Sequence, residues 1–177
     1  MFVVAQFHMV MGVAPILVIM GAIYHWYPKI TGRMMDETLG KIHFWVTFLG
    51  AYLIYYPMHY LGFLGVPRRY YELGDAAFIT PNVATLNAFI TVMALIVGAA
   101  QILFIYNLVH SLIRGERASG NPWRATTLEW QTEETPPGHG NFGKDLPLVY
   151  RWAYDYSVPG AKEDFIPQNQ PPSPRTA

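Results

Sequence analysis

Hydrophobic positions along this chain fall into three long runs, not into short alternating or amphipathic segments. The first reaches from Met1 to Pro28 with no Asp, Glu, Lys or Arg, and with His8 and His25 as its only histidines. At 1.5 Å per residue such a run exceeds the roughly 30 Å hydrocarbon core of a bilayer, so it predicts a transmembrane helix. A secretory signal would open on basic residues and close on a small-residue cleavage site; here nothing basic precedes Phe2 and the run continues to Trp26. Pro15, near the middle, lacks a backbone donor and opposes the carbonyl of Met11, which predicts a kink. The second run goes from Ile42 to Val66, with His43 and His59 inside it and Tyr52, Tyr55, Tyr56 and Tyr60 as interfacial aromatics. The third lies within Ala76 to Ile113, where Thr80-Pro81-Asn82 reads as a helix start and leaves Val83 to Leu112 as the span.

Basic residues in the connections set an orientation, because Lys and Arg are retained on the cytoplasmic side. Lys29, Arg33 and Lys41 lie in the first connection, and Arg114, Arg117 and Arg124 follow the third run; only Arg68 and Arg69 stand between the second and third. The N-terminus is therefore expected outside, the first loop inside, the second outside and the tail inside. Residues 1–113 form the expected three-span part and residues 114–177 a cytoplasmic tail. The tail holds nine prolines between Pro122 and Pro174, mixed with Trp123, Trp130, Phe142, Tyr150, Trp152, Tyr154 and Tyr156, and reads as having no helical or alternating period. Proline density argues against regular structure, while so many aromatics argue against a solvated linker. Asn121 to Gly160 is read as an extended segment laid on a protein surface, with disorder from about residue 167 onward.

Composition supports this and narrows the chemistry. Only 14% of residues are charged, against about 25% in soluble domains. The absence of cysteine excludes disulfides, zinc–thiolate sites, iron–sulfur centres and thiol nucleophiles. Balanced charge gives no reason to expect a nucleic-acid partner. Within or near the spans lie Gln6, His8, Thr47, His59, Asn87, Thr91, Gln101 and Asn107, and polar groups at that depth normally face a protein interior. Small residues such as Gly12, Gly50, Ala51 and Gly98 permit close helix packing. Together they predict that these spans are part of a larger bundle.

Two constellations carry candidate chemistry. In Gln6-Phe7-His8, side chains two residues apart on a helix diverge by about 200° and so address separate partners flanking the helix. A neutral imidazole in an apolar setting is either a hydrogen-bonded packing group or an axial haem ligand. Arg68-Arg69 lies on the side that positive charge avoids; its guanidiniums either bind paired carboxylates such as haem propionates or form a solvated pair balanced by Glu72 and Asp75.

Several blocks, in one order, carry a resemblance: Val3-Val4-Ala5-Gln6-Phe7-His8, His25-Trp26-Tyr27-Pro28-Lys29 with Thr31-Gly32-Arg33, Glu37-Thr38-Leu39-Gly40-Lys41-Ile42-His43-Phe44-Trp45, and Gly62-Phe63-Leu64-Gly65-Val66-Pro67-Arg68-Arg69-Tyr70. They continue through Asn121-Pro122-Trp123, Thr126-Thr127-Leu128-Glu129-Trp130 and the Pro136-to-Phe142 stretch to Tyr156-Ser157-Val158-Pro159-Gly160. This pattern resembles bacterial haem–copper cytochrome c oxidase subunit I over nearly the whole chain. The resemblance implies an all-α integral membrane fold: the last three transmembrane helices of a twelve-helix bundle, plus the extended Pro- and aromatic-rich tail, in the inner membrane. It implies His8 as the axial ligand of a low-spin haem, Arg68 and Arg69 as propionate contacts, and no catalytic residue in this chain itself. The partners implied are the remaining subunit I helices, other oxidase subunits, membrane lipid and cytochrome c as electron donor, with dioxygen reduction coupled to proton translocation in the full complex.

Two departures stand out. The family's high-spin haem ligand position holds Gln6, and a carboxamide is a poor iron ligand. The copper ligands belong to upstream helices. High-spin haem and copper are thus expected of the family and not supported by this chain, which leaves as alternatives a divergent non-catalytic membrane subunit or a truncation product.

Overall fold

The computed structural model describes residues 1–70, 80–132, 142, 146–156 and 159–171. Its regular structure is helical: α1 (Phe2–Phe7), a π-helical stretch (His8–Val13), α2 (Ala14–Thr31), α3 (Glu37–Phe63), α4 (Pro81–Arg114) and a 3-10 turn (Leu128–Trp130). Among the described residues there is no strand, only an isolated antiparallel bridge between Arg33 and Arg117. The strain expected at Pro15 is taken up just before it. The helix widens over His8–Val13, and Pro15 then falls in the first turn of α2, where a missing donor is tolerated.

Among the described residues two helical runs, Phe2–Thr31 and Pro81–Arg114, are long and apolar enough to cross a membrane. The expected third, α3, is long enough at 27 residues but less apolar, because Glu37, Lys41 and four tyrosines interrupt it. The chain divides into two compact units, residues 1–24 with 36–110 and residues 25–35 with 111–177. In that division the segment 25–35 belongs with the tail.

In the first unit α1 and α3 run antiparallel and very close. The N-terminal ammonium of Met1 donates to the Val66 carbonyl at 2.7 Å, and Phe2 lies edge-on to His59 and Phe63 with centroids 5.0 and 5.1 Å away. Gly62 makes this possible, since a Cβ there would fall 2.6 Å from the Phe2 Cα. Leu61, Val66 and Val83 form a buried cluster beside it, with Met1, Leu86 and Ile90 packed around. Further along, Gly50 of α3 receives the Val97 side chain of α4.

Polar side chains tie the same helices together. Asp36 caps α3 by accepting from the Leu39 N–H at 2.8 Å, and Asn107 of α4 accepts from the Asp36 N–H at 3.0 Å and donates to its carbonyl at 2.9 Å. Buried His43 lies 3.2 Å from Gln101 Oε1 and 3.3 Å from the Tyr24 hydroxyl, while Gln101 donates to Thr47 at 3.1 Å. Asp36, His43, Gln101 and Asn107 thus find partners within the protein, as an apolar setting demands.

In the second unit a buried lysine closes the first loop of the tail. Lys29, 6% exposed, directs its ammonium at the carbonyls of Gly120 and Thr132, 3.3 and 3.5 Å away, and sits 5.9 Å from the Trp130 ring centroid. Trp130 is buried, His25 meets it edge-on at 5.1 Å, and Trp123 donates its indole N–H to the His25 carbonyl at 2.9 Å. Arg33 donates to the Gly115 carbonyl at 2.7 Å.

Within the described residues 159–171, Gln168 fastens this stretch to the rest of the tail. Gln168 uses four groups at once: its N–H donates to the Thr126 carbonyl at 3.0 Å and its carbonyl accepts from Tyr150 at 2.9 Å. Its side chain accepts from the Leu128 N–H at 3.1 Å and donates to the Arg151 carbonyl at 3.4 Å. Long-range pairing of one glutamine is invisible to a composition argument, which saw only Pro-Gln-Asn-Gln.

Two outcomes are expected. Gly62→Ala forces backbone apart and lowers the stability of the α1–α3 pairing by about 1–3 kcal/mol, measurable as earlier unfolding in a denaturing-detergent titration. Lys29→Met strips the ammonium from the Gly120 carbonyl at a cost of about 1–3 kcal/mol, so amide exchange across residues 120–132 speeds up by about tenfold or more.

Candidate functional site

Ala5 of α1 is fully buried, so it marks the line along which α1 lies on α3. At about 100° per residue, Gln6 stands on one flank of that line and His8 about 60° away on the other. Both side chains reach α3, at His59 and Tyr55, which are one turn apart on one face. The 200° divergence thus flanks a single helix contact, where the sequence reading had the two residues address separate partners. Phe7, 41% exposed, lies on the far side of α1.

His8 is half-buried and its Nδ1 lies 2.8 Å from the Val4 carbonyl. A carbonyl only accepts, so Nδ1 carries the proton and the neutral ring keeps its lone pair on Nε2. Among the described residues Nε2 meets no hydrogen-bond partner. Tyr55 stacks nearly parallel to the ring, centroids 5.6 Å apart and 14° between planes. The backbone bond and the stacking fix which nitrogen is available and how the ring is oriented.

Gln6 is placed differently. Its Oε1 lies 3.2 Å from His59 Nε2, and His59 Nδ1 lies 2.9 Å from the Tyr55 carbonyl. The His59 ring is thus held between the Tyr55 carbonyl of its own helix and the Gln6 carboxamide of α1. Position 6 is therefore engaged with a neighbouring helix. Below Tyr55 a cavity of about 300 Å³ opens between α2, α3 and α4, lined by Val13, Ile16, Thr47, Tyr55, Val97 and Gln101 among others. It is almost entirely apolar.

Arg68 and Arg69 are aimed by the way α3 ends. Gly65, at φ +84°, occupies the left-handed position after the helix. Its N–H bonds to the Gly62 carbonyl and that of Val66 to the Leu61 carbonyl, both at 3.1 Å. This is a Schellman motif, locked by burial of Val66 against Leu61. Pro67 stops any continuation, and the arginines leave the helix end exposed, Arg69 with a left-handed φ of +63°. The bond from Met1 to Val66 puts the start of α1 at this same end. His8 is about 10 Å of helix rise further along α1. Among the described residues neither guanidinium meets a carboxylate; Glu72 and Asp75, the expected counter-ions, lie outside them. No three His, Asp or Glu side chains among the described residues gather to hold a metal ion.

Sequence reasoning missed Tyr55 and His59 as members of this site. Their signal was the four-residue spacing, which puts both on the face of α3 that α1 covers.

Residues 1–96, more than half the chain, match the family described as cytochrome c and quinol oxidase polypeptide I. Curated relatives extend the likeness into the tail. The alternative cytochrome c oxidase subunit 1 of Bradyrhizobium diazoefficiens is 78% identical over 172 residues, covering 97% of this chain and 29% of that protein. Cytochrome c oxidase subunit 1 of Synechocystis is 42% identical over 157 residues, 89% of this chain and 27% of the relative. That of Alkalihalophilus pseudofirmus is 39% identical over 146 residues, 81% and 22%. The chain thus spans under a third of the length of these relatives.

Proposed function

Since the chain belongs to the cytochrome c and quinol oxidase subunit I family, we propose that it is the C-terminal part of a terminal oxidase subunit I, a membrane oxidoreductase component that works only with the remaining helices. In that reading α3 spans the membrane alongside the two more apolar helical runs, the N-terminus lies outside and the tail lies in the cytoplasm of an inner-membrane protein. The full complex carries electrons from cytochrome c to dioxygen and translocates protons.

One observation carries the haem assignment: His8 holds its proton on Nδ1 against the Val4 carbonyl and leaves Nε2 unengaged. That nitrogen would hold the iron of a low-spin haem, with Tyr55 stacked beside the half-buried ring. The haem, when bound, supplies a one-electron redox couple. Val4 orients the imidazole and raises its basicity, and Tyr55 holds the ring plane. Arg68 and Arg69, exposed at the α1-start end of the unit, would neutralise the propionate carboxylates of such a haem.

A second, high-spin haem does not fit the residue at position 6. A carboxamide is a weak iron donor, and Gln6 is turned toward His59. This favours the second reading, in which the protein is a divergent subunit that keeps electron-carrying scaffold but has lost oxygen chemistry.

Two experiments separate the readings. In the assembled complex His8→Ala abolishes the low-spin haem absorption band while the chain stays membrane-inserted; an unchanged visible spectrum removes the assignment. Gln6→His should create carbon monoxide binding that the parent complex lacks, whereas carbon monoxide binding by the parent refutes the loss of the second site.

A further inference from the structure

The tail has a periodicity that its proline content hides. From Leu146 to Tyr156 every even position is large and apolar or aromatic: Leu146, Leu148, Tyr150, Trp152, Tyr154 and Tyr156. All six are exposed, Leu146 to 82% and Trp152 to 70%. Trp152 and Tyr154 touch edge-on at 5.2 Å, and Tyr156 meets Phe165 in the same way at 5.4 Å, which gives two exposed ring pairs at the end of the segment. The backbone of the segment is fastened to the tail itself. Tyr150 N–H donates to the Gln168 carbonyl, the Arg151 carbonyl accepts from the Gln168 side chain, and the Ala153 carbonyl accepts from the Thr126 hydroxyl. A segment fastened to the tail through its backbone, with its large apolar and aromatic side chains exposed, presents a candidate interaction surface.

Lipid and protein are the two chemistries that such a stripe could meet. A surface for the cytoplasmic leaflet carries excess Lys and Arg to match anionic headgroups. Residues 146–171 hold two basic residues, Arg151 and Lys162, against three acidic ones, Asp155, Glu163 and Asp164. The charge therefore disfavours the membrane. Tyr and Trp anchors are the residues that dominate protein interfaces. More than two thirds of the length of the relatives lies outside this chain, so protein surface is available to cover the stripe.

We propose that the even-numbered stripe Leu146–Tyr156 is the strip by which the tail docks onto the rest of oxidase subunit I, on that polypeptide's cytoplasmic surface. This rests on the subunit I reading above. The test uses the assembled complex. Hydroxyl-radical footprinting of the unmodified complex should give at least tenfold less oxidation at Trp152 and Tyr154 than in this chain separated from its partners. With Trp152→p-benzoylphenylalanine, illumination should crosslink the chain to subunit I residues outside its own 177. Equal oxidation in both states, or crosslinks to lipid, to other subunits or to solvent alone, overturns the proposal. Where the photoreactive variant fails to assemble, the footprint decides. The haem spectrum of the same preparation reads the wider assignment separately: subunit I crosslinks without a low-spin band spare the docking strip and sink the haem role, and the reverse result does the opposite.

Discussion

The close antiparallel approach of α1 to α3 is the contact on which the site geometry depends. It requires Gly62 opposite Phe2 and a small residue, Ala5, at its centre. Once the two helices are that near, Gln6 and His8 are carried to opposite flanks of one seam, and α3 answers with His59 and Tyr55 one turn apart. The chemistry available to each flank follows from what it finds there. His8 bonds backward to its own helix through Nδ1, whereas Gln6 bonds across to His59 of the neighbouring helix. A larger residue at position 62 would disturb both flanks without touching either.

A second consequence concerns the arginines. The helix end that buries Leu61 and Val66 also fixes Gly65 in the left-handed region, so Pro67 and the two arginines leave α3 in a set direction. Apolar burial and cation placement are here the same structural event. The N-terminal ammonium of Met1 bonds to the carbonyl of Val66 and joins the start of α1 to that end.

Much of the helical unit was legible in the sequence because its signals are long. Runs without charge and the Thr80-Pro81 start placed the helices to within a few residues. The π-helical stretch was legible only as trouble at Pro15, since periodicity does not say how a helix absorbs a proline. His8 and the arginine pair stood out as polar groups in an apolar setting. Tyr55 did not, because a tyrosine near an interface already has an ordinary explanation. The tail was least legible. Proline counting concealed both the period-two stripe ending at Tyr156 and the four bonds of Gln168, which join residues up to 42 positions apart. Segment 25–35 joins the tail unit through Lys29, whose burial contradicts what a basic residue at a helix end suggests.

The central claim is that a single imidazole nitrogen, left free by a backbone bond, coordinates iron. The most direct test is pulsed electron paramagnetic resonance of the oxidised complex in which only this chain carries nitrogen-15 histidine. A nitrogen-15 hyperfine coupling of directly ligated strength on the low-spin ferric signal is the predicted result. A low-spin signal coupled solely to nitrogen-14 would contradict it.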